Sequence, residues 1–100
     1  MRLYADSELS TPIDVIHLGT VTVGTQREYT LYAVNPTRAV YENIMVTLTE
    51  EPEGLGMYNI PTRLGPGEMA IIRVVWSPPL TMREALTVGI SIRGNEIYYA

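Results

Sequence analysis

The residue best suited to acid–base chemistry is His17, the only histidine in the chain. It lies between Ile16 and Leu18, in a stretch whose alternation predicts a β-strand with the imidazole pointing away from the core. Nucleophilic catalysis needs such a base held against an activated nucleophile and oriented by a third group. Nothing in the sequence marks a serine or threonine as that nucleophile. We therefore interpret His17 as a solvent-facing strand residue and predict that the chain is not an enzyme.

Three carboxylates in one short segment, Glu50, Glu51 and Glu53, could in principle bind calcium. Calcium prefers carboxylate and carbonyl oxygens, which such a loop offers. No aspartates at ligand spacing accompany them, however, and Pro52 stiffens the loop. Acidic turns of this kind are usually solvated, so we predict neither a metal site nor a cofactor.

The overall composition narrows the possible partners. Seven arginines and no lysines oppose eleven acidic residues, for a net charge of −4. A general nucleic-acid binder needs a surplus of cations, so nucleic acid is not expected as a partner. No apolar run approaches the roughly 20 residues that span a bilayer, and no membrane partner is expected either. The absence of cysteine excludes disulfides and thiolate metal sites.

The pattern along the 100 residues is that of short strands separated by Gly, Pro and Asn. Alternation is clearest over residues 42–49, where Ile44, Val46 and Leu48 share one face. The sequence predicts further strands over residues 15–18, 21–24, 27–35, 57–60, 69–76 and 86–93. Gly94-Asn95 fits the centre of a two-residue hairpin that returns through Ile97. The predicted fold is an all-β, immunoglobulin-like antiparallel sandwich of about seven strands.

A core follows from the same alternation. Its predicted members are the inward positions of the three clearest strands: Ile44, Val46, Leu48, Ile72, Val74, Trp76, Val88 and Ile90.

Two segments resemble a known pattern. Residues 16–24 (IHLGTVTVG) with residues 29–35 (YTLYAVN) resemble the opening of immunoglobulin-like domains of the ASPM–SPD-2–hydin and major-sperm-protein type. Residues 64–68 (LGPGE) with residues 72–78 (IRVVWSP) resemble their later Pro-Gly-Glu segment and following strand. Pro36 and Trp76 depart from the pattern. The resemblance covers residues 13–100 and implies a fold more specifically than a function. More loosely, the chain resembles accessory proteins of tailed bacteriophage particles.

Residues 1–12 carry no sustained strand or helix pattern, and we interpret them as an extended arm preceding a sandwich domain at residues 13–100. The alternative is that Arg2 to Ala5 pair with a sheet edge of their own domain. As an arm, the segment would offer the apolar side chains of Leu3 and Tyr4 to a neighbouring subunit.

Tyrosine occurs seven times and phenylalanine not at all. Its ring is apolar and its hydroxyl tolerates water, which suits surfaces that a partner buries. Tyr32 is predicted on the face opposite Leu31, and adjacent Tyr98 and Tyr99 must point to opposite faces. The candidate interaction residues are therefore Leu3, Tyr4, Tyr32, Tyr98 and Tyr99.

Together these observations predict a non-enzymatic structural module, a virion accessory or capsid decoration protein that binds capsid or tail subunits, or itself, through its arm and sheet edges. The main alternative is a carbohydrate- or cell-surface-binding module that uses exposed aromatic rings. An intracellular scaffold of the major-sperm-protein type is a third reading, although the acidic charge argues against its usual basic patch.

Overall fold

The computed structural model describes residues 1–18, 24–50, 53–77 and 86–97. Within these ranges the regular structure is entirely β. The strands are β1 (Arg2–Tyr4), β2 (Val15–Leu18), β3 (Arg27–Val34), β4 (Val40–Leu48), β5 (Leu55–Tyr58), β6 (Arg63–Leu64), β7 (Met69–Trp76) and β8 (Leu86–Ile97). The predicted strand over residues 21–24 falls almost wholly outside the described residues.

The eight strands form two antiparallel sheets of four. The first sheet has the order β1-β3-β7-β5 and the second the order β2-β8-β4-β6. Each sheet is built on one long antiparallel strand pair. In the first sheet β3 aligns with β7 from Arg27↔Trp76 to Val34↔Met69, and in the second β4 aligns with β8 over most of its length. The predicted all-β sandwich is confirmed, with β6 as a short strand that the sequence pattern did not predict.

The core lies between the two sheets and draws on both. Its buried members are Leu3, Ile16, Leu18, Leu31, Ala33, Ile44, Leu64, Ile72, Val74, Trp76, Val88 and Ile90. Six of the eight predicted core residues belong to it, and the other two, Val46 and Leu48, are partly buried and pack against it. Trp76, only 1% exposed, is the largest of the fully buried side chains. Strand alternation located the core because side-chain direction is set locally by the pleat.

The prediction of a free N-terminal arm at residues 1–12 is wrong. β1 is the edge strand of the first sheet and pairs with β3, and Leu3 lies in the core at 5% exposure. The chain then turns back, since Ala5 N–H donates to Thr11 O at 2.9 Å and Ile13 N–H donates to Leu3 O at 2.9 Å. This N-terminal hairpin covers the outer edge of β1. The alternative reading, pairing within the domain, is therefore the one the structure adopts, because Leu3 is buried only when β1 pairs.

A single carboxylate closes the turn of that hairpin. Asp6 Oδ1 accepts hydrogen bonds from Ser10 N–H at 3.0 Å and Thr11 N–H at 2.9 Å, and Asp6 Oδ2 accepts one from the Ser10 hydroxyl. Asp6 O also accepts from Leu9 N–H at 3.2 Å, while Leu9 adopts a φ of 58°. The Ser10 hydroxyl, then the Thr11 amide, hold the pKa of Asp6 below its ordinary value of 3.8.

The pKa of Asp6 predicts how the hairpin responds to acid. A carboxyl whose pKa is lower in the folded state stabilises the fold above its unfolded pKa, and that contribution is lost as pH falls through the folded pKa. Melting temperatures of the wild type and Asp6→Asn should therefore differ most above about pH 5 and converge as pH falls below about 4. Circular dichroism melts between pH 3 and pH 7 measure this. A difference that is constant with pH would show that the charge of Asp6 does not stabilise the hairpin.

The prediction of a hairpin at Gly94-Asn95 is also wrong, since β8 runs straight through both residues to Ile97. The pairing continues at Glu42↔Asn95, and two residues of β4 lie opposite Gly94 in a β-bulge, one of them Asn43 with a φ of 52°. A Cβ on Gly94 would lie 3.1 Å from the Glu42 carbonyl oxygen. The glycine thus permits the close approach of the bulge, and the strand continues because β4 offers it a partner.

Asn35 is the one buried polar side chain among the described residues, and it joins two loops. Its Nδ2 donates to Ala39 O at 2.7 Å, Leu64 O at 3.1 Å and Gly65 O at 3.0 Å. Its Oδ1 accepts from the Thr37 amide at 3.0 Å and from the Thr37 hydroxyl at 2.7 Å. The side chain therefore ties the crossing from β3 to β4 to the turn that precedes β7, and it satisfies carbonyls that water cannot reach.

Candidate interaction surface

The side of the first sheet that faces away from the core is unusually apolar. Alternation along β3 and β7 sends every second side chain to this side. The outward side chains of these two central strands are Glu28, Thr30, Tyr32 and Val34 from β3, and Met69, Ile71, Arg73 and Val75 from β7. On a sheet with one solvated face these positions are normally polar, yet five of the eight are apolar or aromatic.

The strand register brings these side chains together. Tyr4, Tyr32 and Ile71 occupy one row across β1, β3 and β7. Met69 lies two residues along β7 from Ile71, and Tyr58 on β5 is aligned with Arg73 in the next row, with its ring over Gly56. Ile71 is 52% exposed, Tyr58 54% and Met69 45%. We call these five residues the apolar face. It holds three of the four large exposed hydrophobic side chains in the described part of the chain.

One ion pair crosses the same side of the sheet. Arg73 Nη2 contacts Glu28 Oε1, and both side chains are about half exposed. An exposed pair of this kind contributes little to stability. Arg73 follows Ile71 on β7 and is aligned with Tyr58 on β5, so the pair gives the row of Tyr4, Tyr32 and Ile71 a charged neighbour on one side.

The structure separates the predicted interaction residues. Tyr4 and Tyr32 are half-buried and lie side by side on the apolar face. Leu3 is buried in the core, so its predicted contact with a partner is wrong: its side chain points inward from β1. Tyr98 and Tyr99 lie outside the described residues. Two of the five predicted residues therefore contribute to one surface.

Sequence reasoning missed the exposed residues of this surface, Ile71, Met69 and Tyr58. One signal for them existed. Residues 69–76 form an almost continuous apolar run. A strand of a two-layer sandwich buries only one of its faces, so part of such a run must be exposed on the other face. Only the register, however, shows that the outward residues of β1, β3, β5 and β7 lie on one side of the same sheet.

The residues considered for chemistry do not form a site. His17 is exposed on β2, as predicted, and Glu50 and Glu53 are exposed while Glu51 lies outside the described residues. In the described ranges no group of three or more His, Cys, Asp or Glu side chains is placed to hold a metal ion. Trp76 is buried and offers no ring to a ligand.

One titratable side chain is perturbed within the second sheet. Tyr41 on β4 is aligned with Glu96 on β8 and shares a hydrogen bond with its carboxylate. Partial burial raises the pKa of the Tyr41 hydroxyl, and the negative charge of Glu96 raises it further. The raised pKa keeps the Tyr41 hydroxyl protonated, so we interpret Tyr41 and Glu96 as a structural hydrogen-bonded pair and not as a general base.

Among the described residues no helix is both long enough and apolar enough to cross a bilayer. Comparison of the chain with family models, with curated proteins and with solved structures finds no match.

Proposed function

We propose that this chain is a non-enzymatic assembly module that binds a neighbouring structural protein through the apolar face, and that its setting is a tailed bacteriophage particle, where it serves as an accessory or decoration protein. The observation that carries the proposal is the cluster of Tyr4, Tyr32, Tyr58, Met69 and Ile71 on one side of the first sheet. Contiguous exposed apolar patches on small domains mark interaction sites.

The composition of the cluster supports binding to protein. Tyrosine and methionine are enriched at interfaces, and the fully buried centre of an interface is depleted in charge. Ile71 lies in the same row as Tyr4 and Tyr32, and its outward neighbours along β7 are Met69 and Arg73, which pairs with Glu28. A partner that covers this side of the sheet would bury the row of Tyr4, Tyr32 and Ile71, with the ion pair bordering that row. The sequence-based prediction that sheet edges take part in assembly remains part of the proposal. The predicted role of a free arm does not, because residues 2–4 form β1.

Ile71→Glu is expected to weaken partner binding by at least about tenfold, because it places a charge at the centre of the interface. The domain should remain folded, since substitutions at exposed positions usually change stability by less than about 0.5 kcal/mol. The measurement is co-purification after co-expression with the products of the neighbouring structural genes, with partner binding quantified by sedimentation velocity.

Met45→Glu is the matched control. Met45 is 56% exposed but lies on β4 in the second sheet, so the same chemical change is made away from the apolar face. It should leave binding unchanged. If the wild type, Ile71→Glu and Met45→Glu recover the same amount of partner, the proposal is wrong.

Carbohydrate binding is the second candidate, and one observation favours it. Tyr4 and Tyr32 are aligned on adjacent strands with part of each ring exposed, and neighbouring rings on a flat sheet can stack against sugar faces. Affinity electrophoresis through polysaccharide gels discriminates the two functions. Retardation that is lost in Tyr32→Ala and kept in Ile71→Glu would favour a glycan.

A further inference from the structure

On one side of the sandwich, β8 extends beyond the strand that borders it. β2 aligns with β8 only from Leu18↔Leu86 to Val15↔Gly89. Ile90 N–H still donates to Asp14 O at 2.8 Å, but the preceding residue of the chain, Ile13, has already crossed to the first sheet and bonds to Leu3. Past Ile90, therefore, β8 has β4 on one side and no described strand on the other.

The backbone of β8 is open along this stretch. Because peptide groups alternate in direction along a strand and Ile90 N–H points toward β2, those of Ile92 and Gly94 point to the same side, where no described strand pairs with them. The Met1 side chain lies close to Gly94, since a Cβ on that glycine would be 3.1 Å from Met1 Cε. Neither residue has a hydrogen-bond partner there among the described residues. An unpaired strand edge of this kind is a template for an added strand.

An apolar cleft opens at the same place, between the two sheets. Its volume is about 390 Å³, and its lining is mainly apolar, with Arg2, Asp14 and Ser91 as the polar members beside Met1, Leu3, Pro12, Ile13, Ile90 and Ile92. A cavity of about 150 Å³ with aliphatic walls already accommodates benzene, so this cleft has room for an aliphatic side chain. A strand added beside Ile92 would direct alternate side chains inward, into the cleft.

The outward position next to Ile92 is basic. Arg93 is exposed, and its aligned neighbour on β4 is Met45. In the described part of the chain Arg93 takes part in no ion pair. Directly opposed opposite charges stabilise strand pairs, so an acidic residue on the added strand would supply the partner that β4 does not.

We propose that residues 91–94 of β8 form a strand-addition site for an extended segment of a partner protein. That segment places one apolar side chain in the cleft beside Ile92 and an adjacent acidic side chain beside Arg93. The site lies on the open side of the second sheet, away from the apolar face, so it stands or falls independently of the proposed function.

The test uses three synthetic nine-residue peptides of alternating Thr and Val. One carries Leu-Glu at its centre, the second Leu-Lys, and the third Asp-Glu. Each is titrated into the ¹⁵N-labelled full chain, with affinities taken from amide shifts and hydrogen-exchange protection measured at Ile92 and Gly94. We expect the Leu-Glu peptide to protect both amides. The Leu-Lys peptide should bind about two- to fivefold more weakly, and the Asp-Glu peptide at least about tenfold more weakly.

Two variants sharpen the result. Arg93→Glu should reverse the preference, so that the Leu-Lys peptide binds more tightly than Leu-Glu. Arg38→Glu changes another exposed arginine, in the loop before β4, and should leave the preference as in wild type. The proposal is overturned if no peptide binds, if the protected amides lie elsewhere, for example on β4, or if the preference ignores Arg93→Glu. Concentration-dependent protection of Ile92 and Gly94 without peptide would assign the edge to a second copy of this chain and would likewise overturn it.

Discussion

Deletion of residues 1–12 is expected to unfold the domain. The deletion removes β1 from the first sheet, takes Leu3 out of the core and opens the β3 edge that β1 covers. Truncating a buried leucine to alanine alone costs about 2–5 kcal/mol, and the whole stability of a small domain is about 5–15 kcal/mol. Loss of the strand, its ladder bonds and its core residue together should exceed what a domain of 100 residues can lose.

Far-UV circular dichroism and one-dimensional proton NMR of the deleted chain measure this outcome. Two single substitutions in the full chain separate packing from mere length. Leu3→Ala should lower the free energy of unfolding by about 2–5 kcal/mol, whereas Arg2→Ala, on the same strand but exposed, should change it by less than about 0.5 kcal/mol. A deleted chain that melts like the full one would mean that β1 is dispensable and that residues 1–12 behave as an arm after all.

Asn35→Ala is expected to be among the most destabilising single substitutions in the chain. It leaves the carbonyls of Ala39, Leu64 and Gly65 without the donor that now serves them, and Thr37 without its acceptor. Each buried polar group left unpaired costs about 1–3 kcal/mol, and we expect a combined loss on the order of 3–5 kcal/mol. For a domain of this size the melting temperature should fall by at least about 10 °C.

The matched control for this substitution is Asn95→Ala, because Asn95 is an exposed asparagine on β8 and should tolerate the change. Thr37→Val removes only the hydroxyl at one end of the network and should fall between the two. Urea unfolding of the three variants ranks them. If Asn35→Ala and Asn95→Ala unfold at the same denaturant concentration, water must replace the asparagine side chain at no cost.

The buried position of Asn35 also explains why two distant segments with recognisable patterns, residues 29–35 and residues 64–68, belong to one feature of the fold. One ends at this residue, and the other begins at Leu64 and Gly65, whose carbonyls it binds. In addition, Asn35 N–H donates to Glu68 O at 3.0 Å and Gly67 N–H donates to Asn35 O at 2.9 Å. The Gly-Pro-Gly-Glu turn and Asn35 thus form one hydrogen-bonded unit, which stabilises the connection between the β3 end and the turn before β7.

What the sequence determined by itself is the direction of side chains within each strand. Ile44, Ile72, Val74 and Val88 could be assigned to the core because successive residues of a strand alternate across the sheet, whatever the strand pairs with. The same local rule placed His17 on the surface and Tyr32 opposite Leu31. The absence of cysteine and the acidic charge are likewise properties of the chain alone.

Only the tertiary structure decided which strand lies beside which. Gly94-Asn95 has the composition of a hairpin, yet it lies in a straight strand because β4 bulges opposite it and pairs beyond it. Residues 2–4 lack a strand pattern of useful length, yet they pair because the β3 edge and the core accept Leu3. Tyr4, Tyr32 and Ile71 form one row, and β8 has no described strand beside it on the β2 side past Ile90, only through the register of strands distant in sequence. Pairing is a long-range choice among several edges, and its energy depends on the whole assembled sandwich rather than on any one segment.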